Sequence, residues 1–150
     1  VIVSRPAPPD ISETEILHAS CVATAGRAVL ILGPSGSGKS GLALQLMAFG
    51  AGLVADDRTC LWHHEGKVWA DVPDQLRGMI EAREVGLLSS DPIGAHPVAL
   101  CIDLGQPETD RLPELSTQDL LGCAIPRLRK SSLPHFPAAI MTYLRGNRVA

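Results

Sequence analysis

The segment Gly33-Pro34-Ser35-Gly36-Ser37-Gly38-Lys39-Ser40 carries the pattern Gly-x4-Gly-Lys-Ser in full. Each position has a chemical purpose. The glycines let successive backbone N–H groups converge on phosphate oxygens, and the helix that opens next adds its N-terminal dipole. Lys39 supplies a point charge for the β- and γ-phosphates, and the Ser40 hydroxyl completes the shell of a Mg²⁺ ion. An apolar run before the loop and a helical periodicity after it separate this pattern from a chance glycine-rich turn. The sequence predicts a nucleoside-triphosphate site.

Phosphoryl chemistry at such a loop also needs carboxylates, to hold metal and to take a proton. Two apolar runs end in acids: Leu53-Val54-Ala55-Asp56-Asp57 and Val98-Ala99-Leu100-Cys101-Ile102-Asp103. The first has a pair, which allows a division of labour between metal and attacking hydroxyl. Asp56-Asp57 reads equally well as a polar strand end that caps a turn. No guanine-reading Asn-Lys-x-Asp motif is present, and 150 residues leave little chain for the sensor elements of a motor ATPase. A small kinase is the economical reading, with its acceptor open.

Several elements must position these groups. Residues 28–32 form a continuous apolar run of strand length, and the loop then turns the chain into a helix with Leu42, Ala43, Leu46 and Met47 on one face. Gly50 is a stop for that helix. Residues 53–55 read as a strand, and 59–63 with 67–70 as a hairpin across Glu65-Gly66. Residues 79–88 fit strand or helix, 98–104 and 122–128 fit strands, and 134–145 has helical periodicity. The proline-rich stretch 1–10 reads as a lead-in, and Ser12-Glu13-Thr14-Glu15 has capping-box spacing although its neighbours suit a strand equally. The expectation is an α/β, P-loop kinase-like domain over 16–150, with a mixed central sheet and few helices, after a lead-in over 1–15.

Composition narrows the classes. Five aromatic residues (Phe49, Trp62, Trp69, Phe136 and Tyr143) are too few for a base-stacking platform, which argues against a single-stranded nucleic-acid binder. No apolar run approaches the roughly 20 residues of a membrane span. Charge is unevenly spread: the last acid is Asp119, and the five bases that follow give the tail +5 against −8 for the rest. Arg145 and Arg148 fit a helix C-terminus or an anionic partner about equally. Arg127, Arg129 and Lys130 read as a functional loop flanked by Ser and Pro. Cys21, Cys60, Cys101 and Cys123 are too widely spaced for zinc and suit free thiols of a cytoplasmic protein. Adjacent His63 and His64 read as a hairpin end, because neighbouring strand residues point to opposite faces.

Together these residues resemble the catalytic domain of the HPr kinase/phosphorylase family, bacterial enzymes that act on a serine of the phosphocarrier HPr. The likeness includes Leu17-His18-Ala19-Ser20, the loop itself, and Gly52-Leu53-Val54-Ala55-Asp56-Asp57-Arg58. It continues through Glu81-Ala82-Arg83-Glu84-Val85-Gly86-Leu87, similar to the signature Glu-Ile-Arg-Gly-Leu-Gly-Ile, then Arg111-Leu112-Pro113-Glu114 and Ile125-Pro126-Arg127-Leu128. Two of the departures from the signature matter: Ala82 replaces a larger aliphatic residue, and Glu84 stands where glycine is usual.

The resemblance implies ATP and Mg²⁺ on the loop and HPr as partner. It makes Asp56 the general base, and the acid when phosphoserine is split in reverse by phosphate. It makes His18 the residue that orients Asp56, and Ser40, Glu81 and Asp57 the metal ligands. Lys39 and Arg83 would neutralise charge on the transferred group, with Arg111 either a support or a surface ion-pair partner. Arg127, Arg129 and Lys130 resemble an acceptor-contacting loop. A hexamer in the cytoplasm, without membrane or nucleic acid, and a short form without the longer members' N-terminal domain are further implications. Two alternatives stand beside this: a related kinase acting on a small-molecule hydroxyl, and a non-catalytic nucleotide-sensing module. Retention of Lys39, Ser40, Asp56 and Glu81 argues against the second.

Overall fold

In the computed structural model, residues 6, 7, 9, 10 and 13–150 are described. The described chain opens with β1 (Glu15–Leu17), β2 (Ser20–Thr24) and β3 (Arg27–Leu32), then the helix α1 (Lys39–Ala48). It continues with β4 (Gly52–Ala55), the hairpin β5 (Thr59–His64) and β6 (Lys67–Asp71), and a short 3₁₀ turn at Asp74–Leu76. The strands β7 (Met79–Ala82), β8 (Gly86–Ser89), β9 (His96–Pro107), β10 (Ser116–Leu120) and β11 (Cys123–Lys130) precede the final helix α2 (Phe136–Arg145).

A mixed sheet carries the fold. Its strands run in the order β1-β5-β6-β9-β3-β2-β4, with β11 also on β9 and β10 on β11. The central pairs β3–β9 and β9–β11 are parallel, and the flanking pairs are antiparallel. Three hairpins close through two-residue turns with both central φ positive: Ala25-Gly26 at 54° and 74°, Glu65-Gly66 at 50° and 76°, and Leu121-Gly122 at 51° and 83°. Such turns match the right-handed twist of the strands they join.

The all-apolar character of 28–32 has its cause in two-sided burial. Val29 and Ile31, with Val22, Leu53, Leu100 and Ile102, pack beneath Leu42, Ala43 and Leu46 of α1 and Ile140, Met141 and Leu144 of α2. The alternate residues Ala28 and Leu30 join Cys21, Val54, Cys101 and Leu61 on the other face, where the sheet curls and β5 and β6 close over it. Each fully buried aliphatic side chain contributes about 1.5–3 kcal/mol of transfer free energy, so the strand bearing the loop is firmly held from both faces of the sheet.

Several expectations are refined here. The ambiguous segment 79–88 is the hairpin β7–β8, a separate two-stranded sheet. Glu15 opens a strand and pairs with Leu61, so the lead-in's last residue already belongs to the sheet; Ser12 of the expected capping box lies outside the described residues. Arg127, Arg129 and Lys130 do not sit in a loop. They belong to β11, where Arg127 and Arg129 pair with Cys101 and Asp103, because β9 offers a long parallel edge on which Leu128 between them pairs with Ile102.

The basic tail is likewise engaged within the fold. Arg145 donates to the Phe49 carbonyl at 3.0 Å, beyond the end of α1. Arg148 donates to the Pro113 carbonyl. Arg27 ties β3 to the end of α2 through the Leu144 carbonyl at 2.8 Å and Asn147 Oδ1 at 2.9 Å. Arg145 lies in the last turn of α2, as expected of a base at a helix C-terminus, and Arg148 follows it.

Candidate active site

The loop between β3 and α1 carries the residues of the Gly-x4-Gly-Lys-Ser pattern. Gly38, at φ 98°, is the residue before α1, and neither a capping side chain nor a first-turn acid occupies the helix N-terminus. The first N–H groups of α1 are therefore open to an anion. A Cβ on Gly33 would lie 2.6 Å from Ser37 Oγ and 3.1 Å from Leu104 Cβ, so only glycine fits there. Lys39 Nζ donates to the Gly33 carbonyl at 2.8 Å and the Pro34 carbonyl at 3.2 Å, which lays the ammonium along the loop it serves.

Two strand-end acids were candidates to face this loop, and the fold separates them. Asp103 accepts its own neighbour's N–H, from Gly105, at 2.8 Å. Asp56 reaches the loop: its Oδ1 accepts from Ser40 Oγ at 2.6 Å and from Ser20 Oγ at 2.8 Å. Its Oδ2 accepts the Glu81 backbone N–H at 3.1 Å. The carboxylate is buried at 7% exposure and joins three elements: the loop, the head of β2, and the hairpin β7–β8. Hydrogen bonds to a charged acceptor are stronger than neutral ones, so this junction fixes the site's geometry.

The next residue points elsewhere. Asp57 has φ 66°, and the Arg58 N–H donates to the Asp56 carbonyl at 2.7 Å across it. That is a γ-turn of the rare, strained hand, and strain of this kind is stored at functional sites. The turn brings Asp57 into the cleft, and the Ala19 N–H donates to its carbonyl at 3.1 Å. Its carboxylate stands 3.8 Å from His18 Nδ1, with both side chains largely exposed. The expected contact between His18 and Asp56 is therefore not formed. His18 pairs with Asp57, because the strained turn sends the two acids in different directions.

A cleft of about 520 Å³ gathers Ser35, Gly36, Gly38, Lys39 and Ser40 on one side and Asp57, Glu81 and Arg83 on the other. Of the residues expected at the centre, these line the cleft, and Asp56 is bonded to two of them, Ser40 and Glu81; His18, Gly33, Pro34 and Ser37 are not among its lining. Arg111 is exposed in the loop after β9, and Arg127, Arg129 and Lys130 do not line it. Arg129 donates to Gln106 Oε1 at 3.1 Å, and Arg127 has its Nε buried without a partner. Ser20, fully buried and bonded to Asp56, is the residue of this junction to which the sequence reading gave no role. Its signal was a polar residue heading an otherwise apolar strand.

The chemistry of the donor set suits a hard cation. Ser40 and Glu81 offer oxygen, whereas no group of three or more His, Cys, Asp or Glu side chains poised for a metal exists among the described residues. Mg²⁺ keeps several waters and leans on one or two carboxylates plus substrate phosphates, so an incomplete protein cage is what it uses.

A profile of the family described as HPr Serine kinase C-terminal domain matches residues 9–129. The chain belongs to that family. Curated relatives agree with this HPr serine kinase C-terminal domain. An HPr kinase/phosphorylase from Streptococcus thermophilus is 36% identical over 132 residues, covering 79% of this chain and 43% of the relative. One from Bordetella pertussis is 35% identical over 128 residues, covering 77% and 42%. The chain thus spans less than half the length of these curated relatives. The solved structure of the Hpr(Ser) kinase/phosphatase from Coxiella burnetii superposes with a TM-score of 0.76 at 26% identity, over 90% of this chain and 91% of that one. The α/β, P-loop kinase-like fold with a mixed sheet and two helices is therefore shown. Among the described residues no helix is long and apolar enough to cross a membrane.

Proposed function

We propose that this HPr serine kinase C-terminal domain transfers the γ-phosphoryl group of ATP to a serine of HPr, and runs the reverse phosphorolysis. The observation that carries the proposal is the 2.6 Å contact between Ser40 Oγ and Asp56 Oδ1, which puts a buried carboxylate at the metal-side end of the phosphate loop. HPr as acceptor follows from the names of the relatives.

The residues divide the work. The loop backbone and Lys39 hold and neutralise the phosphates, where most of the catalysis in this class of reaction arises. Ser40 and Glu81 would hold Mg²⁺, which when bound supplies further neutralisation of phosphate charge. An acceptor serine hydroxyl would replace Ser40 as a donor to Asp56 Oδ1. Its proton passes to Asp56 as the serine oxygen bonds to phosphorus, the bond to the β-phosphate oxygen breaks, and ADP leaves. In reverse, phosphate attacks phosphoserine, Asp56 returns the proton to the serine oxygen, and pyrophosphate leaves. Asp57, beside His18 at the cleft, and Arg83 would orient the incoming serine and the transferred group. We also carry the hexamer over from the resemblance; a stable monomer in sedimentation would remove it.

The test is incubation with ATP, Mg²⁺ and HPr, followed by phosphate. Phosphoserine should form and pyrophosphate should then be released. Asp56→Asn should abolish both while leaving the fold intact by circular dichroism; near-normal transfer by that variant refutes the base assignment. No phosphoserine on HPr, with phosphorylation of a small hydroxyl compound instead, would refute the acceptor.

A further inference from the structure

Three of the four cysteines are sealed in the fold. Cys21, Cys60 and Cys101 are buried, and burial raises all three thiols. Cys123, which opens β11, is only partly buried. The curl of the sheet brings it to His63 of β5, 60 residues away along the chain, with Cys123 Sγ 3.9 Å from His63 Nδ1. The other ring nitrogen fixes the direction of this contact. His63 Nε2 faces the Leu121 carbonyl, which can only accept, so Nε2 carries the hydrogen and Nδ1 of the neutral ring is a bare lone pair. The thiol is therefore the donor and the imidazole the acceptor.

The orienting carbonyl is itself held. Leu121 and Gly122 form the two-residue turn between β10 and β11, and the Gly122 N–H donates to Asp119 Oδ1 at 2.8 Å. A nucleophile, a base within its reach and a third group that orients the base together make an activated side chain. His64 takes no part: it meets Trp69 edge-on at 6.1 Å and lies 3.7 Å from Glu65 Oε1. Beside the pair, His63 and Leu121 line a hollow of about 580 Å³ whose other walls include Trp62, Glu13 and Glu15.

We propose that Cys123, with His63 as its base, is a thiolation site that reacts with small disulfides, the hollow accommodating the half that leaves. The site lies apart from the phosphoryl-transfer cleft, and none of its residues line that cleft. In the step, the Cys123 proton passes to His63 Nδ1 and the thiolate sulfur attacks one sulfur of the disulfide. A new S–S bond forms as the old one breaks, and the departing thiolate takes the proton from His63. One disulfide is consumed and one is made, so the small disulfide is the only co-reactant.

Treating the unaltered domain with cystamine at pH 7, and reading the modified peptides by mass, tests this. The attached half should appear on Cys123 and not on Cys21, Cys60 or Cys101. His63→Gln keeps an amide donor for the Leu121 carbonyl and removes the base. It should slow the reaction about tenfold at pH 7 and match the parent within about twofold at pH 9.5, where solvent alone removes a thiol proton. From pH 8 to 6 the parent rate should fall less than about tenfold, whereas an unassisted thiol loses nearly two orders of magnitude. Label spread over all four cysteines, no label, equal rates at pH 7, or a deficit that persists at pH 9.5 would each overturn the assignment. If His63→Gln loses its fold by circular dichroism, the parent's pH profile decides, and the steep fall of an unassisted thiol removes His63 as base.

Discussion

Glu84 stands at the turn of the hairpin that carries Glu81, and its backbone conformation makes a quantitative prediction. The Val85 N–H donates to the Ala82 carbonyl at 3.0 Å, and Ala82 pairs with Gly86, so Glu84 is the third residue of a tight turn. Its φ is 68°, in the left-handed region. A side chain with a Cβ costs about 1–2 kcal/mol there. The Glu84 side chain is exposed and makes no hydrogen bond or ion pair among the described residues, so nothing offsets that cost and nothing is lost by removing it. Glycine relieves the strain but adds about 0.5–1 kcal/mol of unfolded-chain entropy. Glu84→Gly should therefore stabilise the domain by roughly 0.5–1 kcal/mol, a rise of about 1–4 °C in Tm at this size. Glu84→Ala keeps the Cβ and should stay within about 0.5 kcal/mol of the parent. Urea unfolding at constant m-value measures both. A neutral or destabilising Glu84→Gly, or an alanine variant as stable as the glycine one, would refute the strain argument.

Other consequences follow from single contacts. Ser20→Ala removes one of the three donors to the buried Asp56 carboxylate and should cost about 1.5–3 kcal/mol of stability by chemical denaturation; less than about 0.5 kcal/mol would mean that Asp56 does not need it. Glu81→Ala should raise the Mg²⁺ concentration for half-maximal phosphoryl transfer severalfold while keeping its backbone bond to Asp56; an unchanged requirement removes Glu81 from the metal site. Burial pushes the Cys101 thiol from 9.0 up to about 12, and raises the Cys21 thiol as well. The folded chain keeps these protons while the unfolded chain loses them above pH of about 9, so stability should fall by about 1.4 kcal/mol per pH unit per thiol between about 9 and 12. Cys101→Ala should flatten that slope by one thiol's share in urea melts at pH 8–11, and an unaltered slope would contradict it.

The loop Gly33 to Ser40 was legible from residue types alone, because convergent N–H groups, a lysine and a hydroxyl each demand a particular residue at a particular spacing. The strands 28–32 and 53–55 and the hairpin across Glu65-Gly66 were legible for a similar reason: their periodicity and turn chemistry are local. The segment 79–88 was not. Its hairpin is a separate two-stranded sheet whose buried residues, Ile80 and Ala82, meet the rest of the fold only in three dimensions. Arg127, Arg129 and Lys130 looked like a loop because charge and flanking prolines suggested one. A parallel partner strand, β9, is invisible to any local pattern.

Sequence by itself placed a Gly-x4-Gly-Lys-Ser loop, a pair of acids after an apolar run and a signature acid in one domain. Which acid serves the loop was a tertiary decision. Asp56 follows β4 directly and Asp103 lies within β9 where its apolar run stops, and only the strand order and the curl of the sheet bring Asp56 within 2.6 Å of Ser40. The same holds for the neighbour. Asp57 is adjacent in sequence, yet a positive φ turns it toward His18 and out to the cleft. Spacing along a chain specifies which groups are present; the direction each one faces is set by backbone angles and packing that involve residues far away in the sequence.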